Sequence, residues 1–421
     1  MVMSLQVGQE IEVTAGEPAH GGWCVAHPEG EPVVFVRHAL PGELVRVVVT
    51  EVTSRFARGD AVDVLKASPD RVEPPCRYAR PGGCGGCDWQ HASLPAQRAL
   101  KAAVVAQQLR RMAGIDREVV VEELPGGAET SAGLGWRTRM RFAVNSGGAA
   151  GLHEHRSHEV VAIDDCLIAS PAIRELDIPG QDWTGLTAVE AEAGADAAQT
   201  AVILDGRLKG DIGGPAARRS VLERKGRTVR PVRGRPFLRQ HAAGRDWRVT
   251  AGAFWQVHPG AADALCAAVT EILDAGPGDT VTDLYCGAGL FAGVLAPLTG
   301  PDGAVTAVES DPAAVADARD NLRAYNWARV RRGDVAALLR DERVRPARLV
   351  VADPPRAGLA REVIDYLDAG AQRFAYVSCD PATLARDIRL LTERGWSLAT
   401  LRAFDAFPMT HHVECVAGLT R

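Results

Sequence analysis

The sequence predicts an α/β chain in three parts: a small N-terminal β-barrel, a strand-rich middle, and a C-terminal doubly wound parallel sheet. Three observations carry that expectation. Residues 4–66 hold short β-rich runs separated by Gly and Pro turns. From Thr280 onward, apolar strand-like runs alternate with helix-like periodicity. Between the two, period-two alternation dominates. A length of 421 residues is itself more than one ordinary core accommodates. The divisions fall at residues 1–66, 67–250 and 251–421.

In the first part, Ile11-Glu-Val13, Val33-Val-Phe-Val36, Leu44-Val-Arg-Val-Val-Val49 and Ala61-Val-Asp-Val-Leu65 read as strands. Gly21-Gly22, Pro28-Glu-Gly30 and Pro41-Gly42 read as the turns between them. Four or five short strands in so few residues suggest an OB-like barrel, a common oligonucleotide scaffold. The opening Met1-Val-Met-Ser lacks the basic start and apolar run of a signal peptide. No run of about 18 apolar residues is present, so no membrane span is expected. A hydrophobic content of 46% and a charged content of 24% fit a globular protein, expected here to be cytoplasmic and monomeric.

The middle part opens with Cys76-x7-Cys84-Gly-Gly-Cys87-Asp-Trp-Gln-His91. Three thiols so close, with glycines that let the backbone fold tightly, signal a metal centre. Cys166 is the nearest fourth ligand. Zinc and a four-iron four-sulfur cluster both fit this spacing; the C-x3-C-x2-C of a radical enzyme does not. Leu94 to about Arg111 reads as a helix with Ala99, Val104, Val105 and Leu109 on its apolar face and Gly114 past its end. Trp136-Arg-Thr-Arg-Met-Arg-Phe-Ala-Val144 alternates strictly and puts Arg137, Arg139 and Arg141 on one face. His153, His155 and His158 read as polar strand and loop residues. The net charge of −5 does not advertise nucleic acid, but Arg218 to Arg248 contains eleven Lys/Arg against Glu223 and Asp246 alone. Such a stripe can bind phosphate on an otherwise acidic chain.

In the third part, Ala261 to Ala275 is a helix with Leu265, Val269, Ile272 and Leu273 on one face. Val281 to Tyr285 is a strand, and Cys286-Gly-Ala-Gly289 is a turn opening a helix through Phe291 to Leu298. Val305 to Glu309 is the next strand. Glu309 stands twenty residues past Gly289, where a ribose-binding carboxylate belongs. Asp334 ends the following element and is placed to hydrogen-bond an adenine. Leu349-Val-Val-Ala-Asp-Pro-Pro-Arg356 is a strand running into a rigid turn. The pattern has no third glycine for a pyrophosphate, and S-adenosylmethionine requires none. Phe374 to Ser378 is a short buried strand, Asp380 caps a helix and Pro381 takes its first position. Cys379 therefore sits where a strand meets a helix, near backbone N–H groups that favour a thiolate by about 1 kcal/mol, while adjacent Asp380 pushes the other way, so activation needs further help.

Gly21-Gly-Trp-Cys-Val-Ala26, Val34-Phe-Val36 and Ala39-Leu-Pro-Gly-Glu43 together resemble the TRAM domain, an RNA-binding barrel. The whole chain resembles the RNA 5-methyluridine methyltransferase family. The resemblance rests on that barrel, the Cys76/Cys84/Cys87/Cys166 set, Phe254-Trp-Gln-Val-His258, Asp283-Leu-Tyr-Cys-Gly-Ala-Gly289, Asp353-Pro-Pro-Arg-Ala-Gly358, Ser378-Cys-Asp-Pro381 and His411-His-Val-Glu-Cys415. It implies a C-terminal Rossmann-like S-adenosylmethionine-dependent domain acting on ribosomal or transfer RNA. It implies that the cysteine set holds a [4Fe-4S] cluster, and that Gln256, Tyr285, Glu309 and Asp353 contact the cofactor. Cys379 is implied as nucleophile and Glu414 as base. The chain departs from the family at Leu290 and Asp380, where Asn is common, and in a long first cysteine gap.

Chemistry makes those two roles necessary. Carbon 5 of uracil is a weak nucleophile until a thiolate adds at carbon 6, and a base must then remove the carbon 5 proton. The target base has to leave its stack. RNA would be held by the barrel and the Arg-rich middle through phosphates and shape. RNA cytosine-5 methyltransferases carry a Pro-Cys where this chain has Asp353-Pro-Pro-Arg356. Amino-group methyltransferases use no nucleophile, so they differ at Cys379. A non-enzymatic RNA-binding or redox protein would not bind S-adenosylmethionine.

Overall fold

The computed structural model describes residues 5–126, 128–226 and 228–421. The expectation drawn from Met1 to Ser4 lies outside them. The N-terminal part contains six strands: Glu10–Thr14, Pro18–Ala19, Trp23–Ala26, Val33–Arg37, Leu44–Val52 and Phe56–Lys66. They form one sheet in the order first, fifth, sixth, fourth, third, second. Past the first strand, Gly16 N–H donates to Val25 O at 2.7 Å and Val25 N–H donates to Glu17 O at 2.9 Å. These bonds bring the two ends of the sheet together around Val13, Val34, Val36, Val45 and Val47. The two-residue strand at Pro18–Ala19 is too short to leave a periodic signal in the sequence.

The middle sheet has seven strands. From one edge to the other they are Val160–Ala162, Ala150–His153, Arg139–Val144, Leu186–Ala193, Thr200–Gly206, Ser220–Lys225 and Thr228–Arg233. The expected arginine face is present but is largely committed to the fold. Arg139 Nε donates to Glu190 at 2.6 Å and its Nη1 to the Ala253 carbonyl at 2.8 Å. Arg141 and Arg224 reach Asp205 and Glu190 at 2.6 and 2.7 Å. These cations neutralise carboxylates on the neighbouring strands, which a single-strand alternation pattern cannot reveal. Arg230, Arg233 and Arg235, on and just past the edge strand, are exposed.

The C-terminal sheet has eight strands in the order Ala328–Arg332, Ala304–Glu309, Thr280–Leu284, Leu349–Ala352, Arg373–Ser378, Glu414–Thr420, Ser397–Phe404 and Val121–Glu122. The first five are mutually parallel. Glu414–Thr420 is antiparallel to both of its neighbours. Both faces are covered, and the side chains divide accordingly. Val281, Val305, Val351, Ala375 and Val377 pack with Leu265, Val269 and Leu295, from helices Ala261–Leu273 and Leu290–Thr299. Leu284, Val350, Phe374, Tyr376 and Cys415 pack with Val363, Leu384 and Ile388, from Arg361–Asp368 and Pro381–Thr392. Trp247, on the hairpin of Phe237–Ala242 and Arg245–Thr250, fills a gap over Gly293; a Cβ there would stand 2.4 Å from the indole.

The segment grouped with the middle part by sequence at Leu94–Glu122 packs on the C-terminal sheet. Helix Leu94–Gln108 runs on into a π turn, Leu109–Ala113, that ends at left-handed Gly114. Val105, Leu109 and Val121 join the core on one face of that sheet. The buried face of the helix also includes Gln97 and Lys101, whereas Ala99 is exposed. Lys101 Nζ donates to Asp405 Oδ1 at 2.5 Å and to the Phe407 carbonyl at 2.9 Å. Gln97 Oε1 accepts from Met409 N–H at 2.8 Å. These polar residues are buried because they fix the loop that leads into Glu414. Lys101→Met strands the Asp405 carboxylate, which is 2% exposed. Chemical denaturation should show a loss of about 3–5 kcal/mol, and much of it should return in the Lys101→Met/Asp405→Leu double variant.

Candidate active site

Parallel strands end on the same edge of a sheet, and the residue after each end faces whatever binds there. Asp353 follows Ala352, which is paired with Tyr376. The antiparallel strand Glu414–Thr420 brings its amino end to that same edge. Ser378 pairs with Cys415, so Cys379 and Glu414 lie level on adjacent chains. Asp380 caps helix Pro381–Thr392 by accepting from Thr383 N–H at 2.8 Å. Thiol, glutamate and aspartate thus meet where three strands end.

The charges at this edge are unbalanced. Cys379 is partly buried, and its thiol is pushed up to about 11, chiefly by burial and then by Glu414; Arg356 acts in the opposite direction. Glu414 is 4% exposed, and burial followed by Asp353 lifts its carboxyl well above the usual range. Burial raises Asp353 to about 7. Asp283 is raised to about 8 by burial, then by Asp353 and Glu309. Its Oδ2 accepts from Ala292 N–H at 2.8 Å, while its Oδ1 is buried with no hydrogen-bond partner. The Arg356 guanidinium offsets this only at Cys379 and Glu414, so a further cation bound here would favour the charged forms. The sequence reading gives no role to Arg356 or Asp283. The Asp-Pro-Pro-Arg turn and the aspartate before the glycine-rich turn were their available signals.

Gln256, Tyr285 and Asp353 line one pocket together with Phe254, Trp255 and Leu290. Phe254 is 60% exposed at its mouth. Tyr285 has a φ of 64°, a left-handed conformation that a non-glycine residue adopts at a cost. A Cβ on Gly287 would meet nothing within 4 Å, so the turn leaves room for a close approach. Glu309 is joined to that turn: its Oε2 accepts from Gly287 N–H at 3.0 Å. Asp334 lies outside the pocket lining. Its side chain caps helix Val335–Arg340 by accepting from Ala337 N–H at 2.9 Å. Its charge still acts on Tyr285, whose hydroxyl is pushed up to about 12 by burial and then by Asp334.

Cys76, Cys84, Cys87 and Cys166 line a separate cavity of about 360 Å³, with Arg137 and His155 in its wall. Burial raises the Cys84 and Cys166 thiols, and neighbouring thiols raise them further, Cys166 to about 11. Among the described residues, no three His, Cys, Asp or Glu side chains converge as a single-ion site. None of the helices among the described residues is long and apolar enough to cross a membrane.

Iodoacetamide alkylation of Cys379 in the free protein should rise about tenfold per pH unit between pH 7 and 9. It should level off only as pH approaches the thiol value of about 11. A plateau near neutral pH, followed by mass spectrometry of the Cys379 peptide, would contradict the charge arrangement described.

Residues 4–62 match the TRAM domain profile, 258–371 the methyltransferase small domain, and 343–421 tRNA (Uracil-5-)-methyltransferase. A Streptomyces avermitilis protein described as an uncharacterized RNA methyltransferase is 48% identical, across 98% of each chain. A second, from Bifidobacterium longum, is 37% identical across 98% of this chain and 97% of its own. The fold is shared with the Pyrococcus abyssi tRNA (uracil-54, C5)-methyltransferase solved with S-adenosyl-L-homocysteine. That match has a TM-score of 0.74 and 24% identity, over 97% of this chain and 100% of the other. With full-length relatives of this kind and the family profile on the segment that carries Cys379 and Glu414, the chain belongs to the tRNA (uracil-5-)-methyltransferase family and is an RNA methyltransferase.

Proposed function

We propose that the protein transfers the methyl group of S-adenosylmethionine to carbon 5 of a uridine in ribosomal or transfer RNA through a covalent bond to Cys379. One observation carries this reading. Asp353 lines the pocket shared by Gln256 and Tyr285, and its charge acts on both Cys379 and Glu414. The methyl-donor pocket and the thiol–carboxyl pair are therefore one site.

S-adenosylmethionine supplies a sulfonium methyl, and its positive charge answers the excess of acidic groups at the sheet edge. Gln256, Tyr285, Glu309 and Asp353 would hold it, with Asp334 the candidate partner for its adenine. The Cys379 sulfur, as thiolate, adds to carbon 6 of the flipped uracil and pushes the ring electrons toward the carbon 4 oxygen. Carbon 5 of that enolate would take the methyl as the sulfur–methyl bond breaks and neutral S-adenosylhomocysteine leaves with the electron pair. Glu414, ionised, removes the carbon 5 proton, and the returning electrons expel the Cys379 thiolate. A high proton affinity in the buried carboxyl makes Glu414 an effective acceptor for that proton.

RNA is held by the N-terminal barrel of residues 1–66 and by the middle part. The exposed Arg230, Arg233 and Arg235 offer phosphate contacts. Their strand leads to the site, since its Val229 packs at Gly252, two residues before Phe254. The four cysteines hold an iron–sulfur cluster with a structural role, because no step above moves an electron.

Cys379→Ala should abolish methyl transfer, and Glu414→Gln should accumulate a denaturant-resistant protein–RNA adduct on gels while slowing product release at least about a hundredfold. Methyl transfer by the Cys379 variant would refute the covalent route. Protein purified without oxygen should contain iron and sulfide in equal amounts. Cys84→Ala should lose both and unfold at a lower temperature. Zinc in place of iron in the native protein would contradict the cluster.

A further inference from the structure

The N-terminal barrel reaches the active site through one hairpin turn, His20-Gly21-Gly22, between strands Pro18–Ala19 and Trp23–Ala26. Two contacts leave this turn in different directions. His20 Nε2 lies 3.3 Å from Asp380 Oδ2. The other oxygen of Asp380 caps the helix that begins next to Cys379. Gly22, at φ +84°, packs against Asp88 so closely that a Cβ would fall 2.8 Å from the Asp88 Cβ. Asp88, 7% exposed, accepts from His411 N–H at 3.1 Å and lies 2.6 Å from His411 Nδ1. His411 is three residues before Glu414. Asp88 and Trp89 N–H groups both donate to the Met409 carbonyl at 3.0 Å, which fixes the same loop. The His20 and His411 rings stand edge to face, 6.2 Å apart.

We propose that this hairpin positions both halves of the reaction: His20 holds the cap beside the nucleophile, and Gly22 lets Asp88 hold the loop that delivers the base. The barrel then completes the active site as well as gripping RNA. Asp380, where the resembled family commonly has Asn, has its second carboxylate oxygen engaged by His20. His20 and Gly22 touch neither cofactor nor the reacting carbon atoms in this scheme, so they are positioning residues. The two contacts serve different steps, so they should fail differently. A catalytic group displaced by a fraction of an ångström costs on the order of tenfold to a hundredfold in rate.

The catalytic part of this inference rests on the covalent uridine mechanism; the positioning part does not, and two readouts keep them apart. Amide hydrogen exchange on the full-length protein is measured for wild type, His20→Ala, His20→Gln and Gly22→Ala. His20→Ala should speed exchange at the Thr383 amide about tenfold or more and leave His411 unchanged. Gly22→Ala should do the reverse, and His20→Gln, whose amide reaches the place of the imidazole Nε2, should stay within about twofold of wild type. In single-turnover reactions with RNA, His20→Ala should slow adduct formation and Gly22→Ala should slow adduct release, each about tenfold, with RNA affinity unchanged. Unchanged exchange at both amides, or a loss confined to RNA affinity, would overturn the inference. Exchange that responds as stated in the variants, together with a wild-type protein that forms no adduct, would uphold the positioning and sink the uridine reading.

Discussion

The register of the last strand governs the site. Glu414–Thr420 enters the sheet antiparallel to Arg373–Ser378, and the pairing of Ser378 with Cys415 brings Cys379 and Glu414 level. A one-residue slip would turn the side chains of this strand to opposite faces. The slip is opposed from both sides: Val416 packs into the core on one face, Cys415, Ala417 and Leu419 on the other. Beyond the strand, the loop before Glu414 is fastened by Lys101, Gln97 and Asp88. Distant parts of the chain are thus spent on holding one carboxyl opposite one sulfur.

The electrostatics follow from that placement. Burial raises the proton affinity of Asp283, Asp353, Glu414 and Cys379, and the Asp353 charge adds to it at Asp283, Glu414 and Cys379. In the free protein these shifts favour the thiol form of Cys379. A sulfonium cation bound beside Asp353 would draw these groups toward their charged forms together. Under the proposed mechanism, activation of Cys379 would then wait for the methyl donor, whose charge would answer that of the acidic groups.

Much of this site was legible in the sequence because its signals are local. Ser378-Cys379-Asp380-Pro381 reads as strand end, cap and helix start, and the structure has each of them. Gly287 and Gly289 mark a turn, and Glu309 ends the next strand and reaches back to it. What escaped depends on partners far along the chain. The apolar face assigned to Leu94–Arg111 included Ala99, but burial follows Gln97 and Lys101, whose partners lie some three hundred residues away. The arginines at 139 and 141 look like a phosphate ladder until Glu190 and Asp205 arrive from neighbouring strands. Val121–Glu122 closes the edge of the C-terminal sheet with two residues, too few to carry a period. The His20–Asp380 contact joins the N-terminal sheet to the helix that follows Cys379 with no pattern in either segment.

The central claim, that a sulfur opposite a carboxyl adds to a uracil ring, is tested most directly with RNA in which the target uridine carries fluorine at carbon 5. Fluorine cannot be removed as a proton, so addition and methyl transfer proceed and release does not. With S-adenosylmethionine present, the expected result is a stable complex whose digest gives a methylated fluorouridine fragment attached to the Cys379 peptide. Methylated RNA that leaves the protein freely, or an attachment mapped to any other residue, would contradict the account.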